Sequence, residues 1–225
     1  MTSAAENNAT ELHEMKNSFA VQTKLMDSLI KYFTAFFFVT YFLCVFVWPS
    51  VRTYQLTSIN PLNFGKSDNA HDFIGRWFKV LIAAMAVTIL VNCTSKEVYS
   101  FLLPADFLIT PYVQSAGILL SIASLIWTVT AQYQMGKSWR IGIDEKHRTE
   151  LNMTGLFSIS RNPIFLGLLI TLLGLFLLLP NALTLLYLVA GYLLIQIQIR
   201  LEEEFLQKQH GKKHITYKSQ VRRLV

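Results

Sequence analysis

Along the chain, apolar residues gather into five runs, at positions 30–48, 74–91, 107–131, 163–179 and 182–199. Each holds about the 17 to 25 residues that a helix needs to cross roughly 30 Å of hydrocarbon. The pattern predicts an all-α polytopic membrane protein with about five transmembrane helices. Arg76 and Lys79 stand at the entrance to the second run, where their aliphatic stems let the charged heads reach the interface. Only Pro180 and Asn181 separate the fourth run from the fifth, which predicts a tight helical hairpin. Three parts result: a polar segment at 1–29, three helices within 30–131, and a C-terminal half at 132–225 made of a linker, the hairpin and a basic tail.

Composition agrees, with 52% apolar and 15% charged residues against about a quarter charged in ordinary soluble domains. The charges then orient the chain. Lys137, Arg140, Lys146, Arg148 and Arg161 lie between the third and fourth runs, and seven more Lys and Arg follow from Arg200 onward. The stretch 92–106 carries only Lys96. Positive-inside reasoning puts the basic segments and the C-terminus in the cytoplasm and, with five crossings, the N-terminus outside, in a bacterial inner membrane or its equivalent. Residues 1–29 lack the layout of a signal peptide, so the first run is expected to be retained. Cys44 and Cys93 have no CxxC or histidine partner and read as small buried apolar residues, neither a disulfide nor a metal site. The net charge of +6 sits beside membrane segments, where orientation and anionic headgroups explain it without nucleic acid.

The polar material concentrates at 132–162 and 200–225, which locates the chemistry on the cytoplasmic side. An antiparallel hairpin folded at Pro180 and Asn181 sets Pro163 opposite Gln198, given equal rise in both helices. Arg161 and Asn162 then lie beside Arg200, with Glu202 and Glu203 a short step beyond. Asn162 and Pro163 form a helix-start signal, and a helix N-terminus offers amides to a carboxylate. Glu202 and Glu203 offer the complementary charge to an ammonium. A zwitterionic amino-acid group fits between them, with Trp139, Phe157 and Phe165 as aromatic faces for a cation.

The residues Thr154-Gly155-Leu156-Phe157 and Ser160-Arg161-Asn162-Pro163-Ile164-Phe165-Leu166-Gly167 resemble the Gly-x-Tyr and Arg-His-Pro-x-Tyr-x-Gly pattern of isoprenylcysteine carboxyl methyltransferases and related phospholipid methyltransferases. The tail resembles the family's second element through Glu202-Glu203, Leu206, His210-Gly211, Tyr217 and Val221. The resemblance covers about 136–223. It implies a membrane-embedded methyltransferase using S-adenosylmethionine, with S-adenosylhomocysteine as product and a cytoplasmic cofactor pocket. Thr149, Glu150, Leu151, Asn152, Phe157, Asn162, Pro163, Ile164 and Phe165 match the family's cofactor-contacting stretches, with Glu202 in the place of its cofactor glutamate and Glu203 beside it. Asn162 stands where relatives have His, and Phe157 and Phe165 where they have Tyr.

In isoprenylcysteine enzymes an Arg four residues before the cofactor glutamate holds the substrate carboxylate. Here that position is Gln198, so the prenylcysteine substrate is not carried over. Arg161 and Arg200 are the catalytic candidates and Gln198 and Arg140 the substrate-binding ones, with the three arginines able to hold the polar end of a lipophilic or small-molecule acceptor whose O, N or S nucleophile receives the methyl group. Two alternatives stay open: an NADPH-dependent sterol-type reductase, whose motif usually carries an acid where this chain has Leu166-Gly167-Leu168, and a non-catalytic membrane scaffold. Gln114, Ser121 and Thr128 are the main polar residues inside the runs, a pattern more common in helix packing than in transport.

Overall fold

The computed structural model describes residues 2–58, 69–136, 139 and 151–224. Thr149 and Glu150, expected at the cofactor, and Arg140, expected at the substrate, lie outside these residues. Helices α1 (Thr2–Phe42), α2 (Trp48–Thr57), α3 (Ala70–Thr94), α4 (Lys96–Ser100), α5 (Pro111–Met135), α6 (Pro163–Leu178), α7 (Ala182–His210) and α8 (Lys212–Gln220) follow in order, with a π-helical turn at Leu43–Val47 joining α1 to α2. The fold is all-α and polytopic. Four helical stretches, Lys24–Thr57, Ala70–Thr94, Pro111–Met135 and Ala182–His210, are long and apolar enough to cross a membrane. The polar segment at 1–29 is helical from Thr2 and continuous with the first of them, and the helix continues past Trp48 to Thr57.

The π turn has a local cause. Pro49 has no N–H to give to the carbonyl of Val45, and its ring would crowd that carbonyl in a regular helix. The helix widens instead, and the Trp48 N–H donates to the carbonyl of Leu43. The buried Val45 oxygen takes its hydrogen bond from Gln132 Nε2 on α5, at 2.8 Å. An unpaired carbonyl at this depth costs several kcal/mol, so the proline and the glutamine are physically linked.

Helices α5 and α6 form the closest pair. Gly117, Ser121, Ser124 and Thr128 of α5 face Gly167, Thr171, Gly174 and Leu178 of α6: a methyl group on Gly117 would come within 3.1 Å of the Gly174 carbonyl, and Thr171 Oγ1 donates to Ser124 Oγ at 2.8 Å. Small residues allow this approach, and the expected packing role of Ser121 and Thr128 follows. The hairpin forms as predicted. Asn181 Oδ1 accepts from the Thr184 N–H, Thr184 Oγ1 accepts from the Asn181 N–H, and Leu172 packs onto Gly191 across the pair.

Two ends can be distinguished. At the turn end, the Ala105 N–H donates to the Pro180 carbonyl at 2.9 Å, Asn181 Nδ2 reaches Tyr99 Oη at 3.1 Å, and Lys96 pairs with Asp27 at 3.7 Å. At the other end, α6 stops short. With only 16 residues it begins beside Trp127, whose Nε1 donates to the Pro163 carbonyl at 2.9 Å, while α5 continues to Met135 and α7 to His210. Residues 199–210 therefore project about 18 Å past the layer of Gln198. The start of α6 is recessed between two longer neighbours, and the segment 151–162 fills part of that recess.

Candidate active site

The recess is built from four pieces of chain. Asn152 Nδ2 donates to the Gln134 carbonyl at 2.7 Å, its Oδ1 accepts from the Thr154 N–H at 3.0 Å, and the Leu156 N–H donates to Gln134 Oε1 at 2.8 Å. These bonds tie the Gly155–Ser158 turn to the last turn of α5. Gly155 has φ +62°, in the left-handed region that favours glycine, and packs against the Gln134 amide. Helix α8 closes the other side through Tyr217 Oη, which donates to the Phe157 carbonyl at 2.5 Å. Burial pushes the Tyr217 hydroxyl up to about 12, so it remains a donor at physiological pH.

Arg161 is the centre of the site. Its side chain is only 8% exposed; Nη2 lies 3.2 Å from Glu203 Oε1, and Nε and Nη1 meet no acceptor among the described residues. Glu203 also receives the guanidinium of Arg223, from Nε at 3.2 Å and Nη2 at 2.9 Å. The tail is fixed by backbone as well. The Arg161 N–H donates to the Arg222 carbonyl at 3.0 Å, and Asn162 Nδ2 donates to the Arg223 carbonyl at 2.9 Å.

Asn162 consequently does not cap α6 with its side chain, as its position had suggested; the amide turns outward to the tail. The first-turn amides of Ile164 and Phe165 are left without a side-chain cap, the arrangement that favours an anion. On α7, Gln198 Nε2 donates to Glu202 Oε1 at 2.9 Å, and Gln198 Oε1 is buried with no donor among the described residues. His214 of α8 is buried, with Nδ1 likewise lacking a partner among them.

The hairpin geometry had brought Arg161 and Asn162 to the glutamate pair, and Arg161 does meet Glu203. Phe157 is buried at the Tyr217 contact, and Ile164, Phe165 and Leu151 are half-buried nearby in sequence. Arg200 is exposed, donating to the carbonyl and Oε1 of Gln196 on its own helix at 2.6 and 3.0 Å, and it lines an open cleft of about 420 Å³ together with Glu203 and Arg223. Trp139 packs elsewhere too, beside Arg52 and Gln132. Arg223, Arg222 and His214 were not among the expected site residues. Arg223 stands 20 positions from Glu203, beyond any local spacing rule, and only the fold of α8 reveals the pair.

Among the described residues no group of three or more His, Cys, Asp or Glu could hold a metal. The arrangement offers instead two unmet guanidinium donors, an unmet amide acceptor and a carboxylate held in place by that same amide. Part of this machinery, without His214, Tyr217, Arg222 and Arg223, falls within a similarity to known proteins. Residues 113–213 match the family model of phospholipid methyltransferases, a span running from α5 through the recess and hairpin to the start of α8. No curated protein matches the chain. Over these residues, a little under half of its length, the chain is similar to the phospholipid methyltransferases.

Proposed function

We propose that this protein is an S-adenosylmethionine-dependent methyltransferase acting on an O, N or S nucleophile of a lipophilic or small-molecule acceptor, with its cofactor pocket in the recess at the start of α6, on the cytoplasmic side. The observation that carries the reading is a set of buried polar atoms without partners among the described residues: Arg161 Nε and Nη1, and Oε1 of Gln198, the residue that holds Glu202. A zwitterionic amino-acid group satisfies both, its carboxylate on the arginine and the uncapped α6 amides, its ammonium on Glu202 and Gln198. Buried polar atoms without partners are rare, and their chemistry is that of the missing partner.

The cofactor, when bound, supplies an electrophilic methyl group on a positively charged sulfur. The chain's own residues bind and orient. Glu203 holds Arg161 and Arg223 in position, which assigns it to support of the site, whereas Glu202 is the acid available to the cofactor. Phe157 and Phe165 offer ring faces to a cation. Methyl transfer needs in-line approach more than acid-base help, so proximity accounts for most of the rate and no catalytic dyad is required.

Calorimetric titration of detergent-solubilised protein with S-adenosylhomocysteine and, separately, with NADPH tests this. S-adenosylhomocysteine is expected to bind; binding of NADPH alone overturns the reading in favour of a reductase. Glu202→Gln is expected to weaken S-adenosylhomocysteine binding by about tenfold, the worth of one charge-assisted bond. Glu204→Gln should leave it unchanged, because Glu204 is exposed and paired with Lys208 at 2.7 Å.

A further inference from the structure

The link between Pro49 and Gln132 has a chemical consequence. The Val45 carbonyl accepts only a donor, so the atom of Gln132 that meets it is the nitrogen. Oε1 is thereby directed elsewhere; it is buried, and no donor among the described residues reaches it. Gln132 is 6% exposed and lines a hole of about 50 Å³ between the π turn and α5. That is several times the roughly 10–15 Å³ one water requires. Trp48, Arg52, Tyr133 and Trp139 line the same hole.

The rim has a definite character. Trp48 and Tyr133 are 66% and 69% exposed on helices long and apolar enough to cross a membrane, so the hole is flanked by exposed aromatic surface. The Arg52 guanidinium lies 4.8 Å over the Tyr133 ring and disfavours a fixed cation at the mouth. Gly136, which ends α5, lines the hole as well, two residues past the Gln134 that holds the Gly155–Ser158 turn.

We propose that this hole receives the neutral head group of a bilayer amphiphile, a hydroxyl or uncharged amine that donates its hydrogen to Gln132 Oε1, and that it is the acceptor's subsite. Its role as acceptor subsite rests on the methyltransferase reading; its capacity to bind does not. One atom meets both requirements: it gives its hydrogen to Gln132 and keeps a lone pair. In the transfer that lone pair forms the bond to the methyl carbon, the pair of the breaking carbon–sulfur bond stays on sulfur, and the proton leaves to water. Gln132 orients the nucleophile and takes no proton.

The test uses full-length protein in phosphatidylcholine nanodiscs with a photoreactive dodecanol carrying a diazirine beside its hydroxyl end. Labelled peptides are expected to contain Trp48 and Gln132. Dodecanol should compete about fivefold better than dodecyl methyl ether, which has the same chain and no O–H, as one hydrogen bond implies. Equal competition, or labelling elsewhere, overturns the proposal and leaves the hole to ordered water. Pro49→Ala restores an N–H for Val45, so Pro49→Ala/Gln132→Leu removes the acceptor without stranding that carbonyl. In this double variant the preference for alcohol over ether should vanish; its persistence also overturns the proposal. Titration with S-adenosylhomocysteine separates the two ideas: binding without alcohol preference removes only the subsite, and alcohol preference without binding removes only the methyltransferase reading.

Discussion

Asn181 at the turn end and Arg161 at the recessed end both have side chains withdrawn from solvent, each within two residues of a proline, and they differ in who completes them. Asn181 is finished by its own chain: Oδ1 takes the Thr184 N–H, and Nδ2 reaches both Tyr99 Oη and the Leu179 carbonyl at 3.1 Å. Arg161 has one nitrogen on Glu203 and two more with nothing to meet among the described residues. The first arrangement is what a fold needs to stay closed; the second leaves room for an acceptor that the fold does not supply. Burial alone would not separate them, since both are withdrawn from solvent. The state of their hydrogen bonds does.

The largest expected effect breaks the comparison directly. Arg161→Ala should weaken S-adenosylhomocysteine binding by about a hundredfold in calorimetry, two lost charge-assisted bonds at about 1.5 kcal/mol each. Asn181→Ala should do the reverse, lowering stability by about 2 kcal/mol through loss of a helix cap and two buried bonds, with affinity unchanged. An Asn181 variant that loses affinity, or an Arg161 variant that loses only stability, would erase the distinction between the two ends.

A step smaller, Gly174→Leu probes the seam that sets the depth of the recess. A Cβ at Gly174 would lie 2.6 Å from Ser121 Oγ and 3.2 Å from the Gly117 carbonyl. Backbone cannot yield as a flexible side chain does, so the cost should be about 2 kcal/mol in thermal unfolding. Affinity measured below the new melting temperature should fall as well, because α6 carries Arg161 and Asn162 at its start. Retained affinity would show that the recess is held by α7 and α8 without the seam.

Much of this was legible in the sequence because its causes are local or periodic. The five apolar runs, the Pro180-Asn181 turn and the helix start at Pro163 are each written within a few residues. Equal rise in two antiparallel helices was enough to bring Arg161 to the glutamates. What could not be read depends on pairs distant in sequence. Nothing near Asn162 says that its amide will turn from the helix to the Arg223 carbonyl, because α8 must first fold back across the recess. Pro49 announces a helix defect, but the donor that repairs it, Gln132, lies 87 residues from Val45. Arg200 shows the same limit: the hairpin register fixed its depth and said nothing of its hydrogen bonds, which go to Gln196 on its own helix.

The smallest expected effect concerns His214, the buried neighbour of the Arg161–Glu203 pair on α8. Burial holds its imidazole below the usual histidine range; the Glu203 charge pulls the other way, while Arg161, Lys218 and His210 add to the depression. The folded protein therefore binds fewer protons at this residue than the unfolded chain does near pH 6. Stability must rise with pH across that window and be lost as pH falls through it. Between pH 7.5 and 5.5 the melting temperature should drop by about 2 °C on this account, and His214→Gln, which cannot titrate, should remove that part of the slope. Asn181→Ala should leave the slope intact, since no group at the turn end is coupled to His214. If the slope survives in His214→Gln, the acid sensitivity belongs to another residue, and the unfinished end of the molecule is less sensitive to charge than its unmet donors imply.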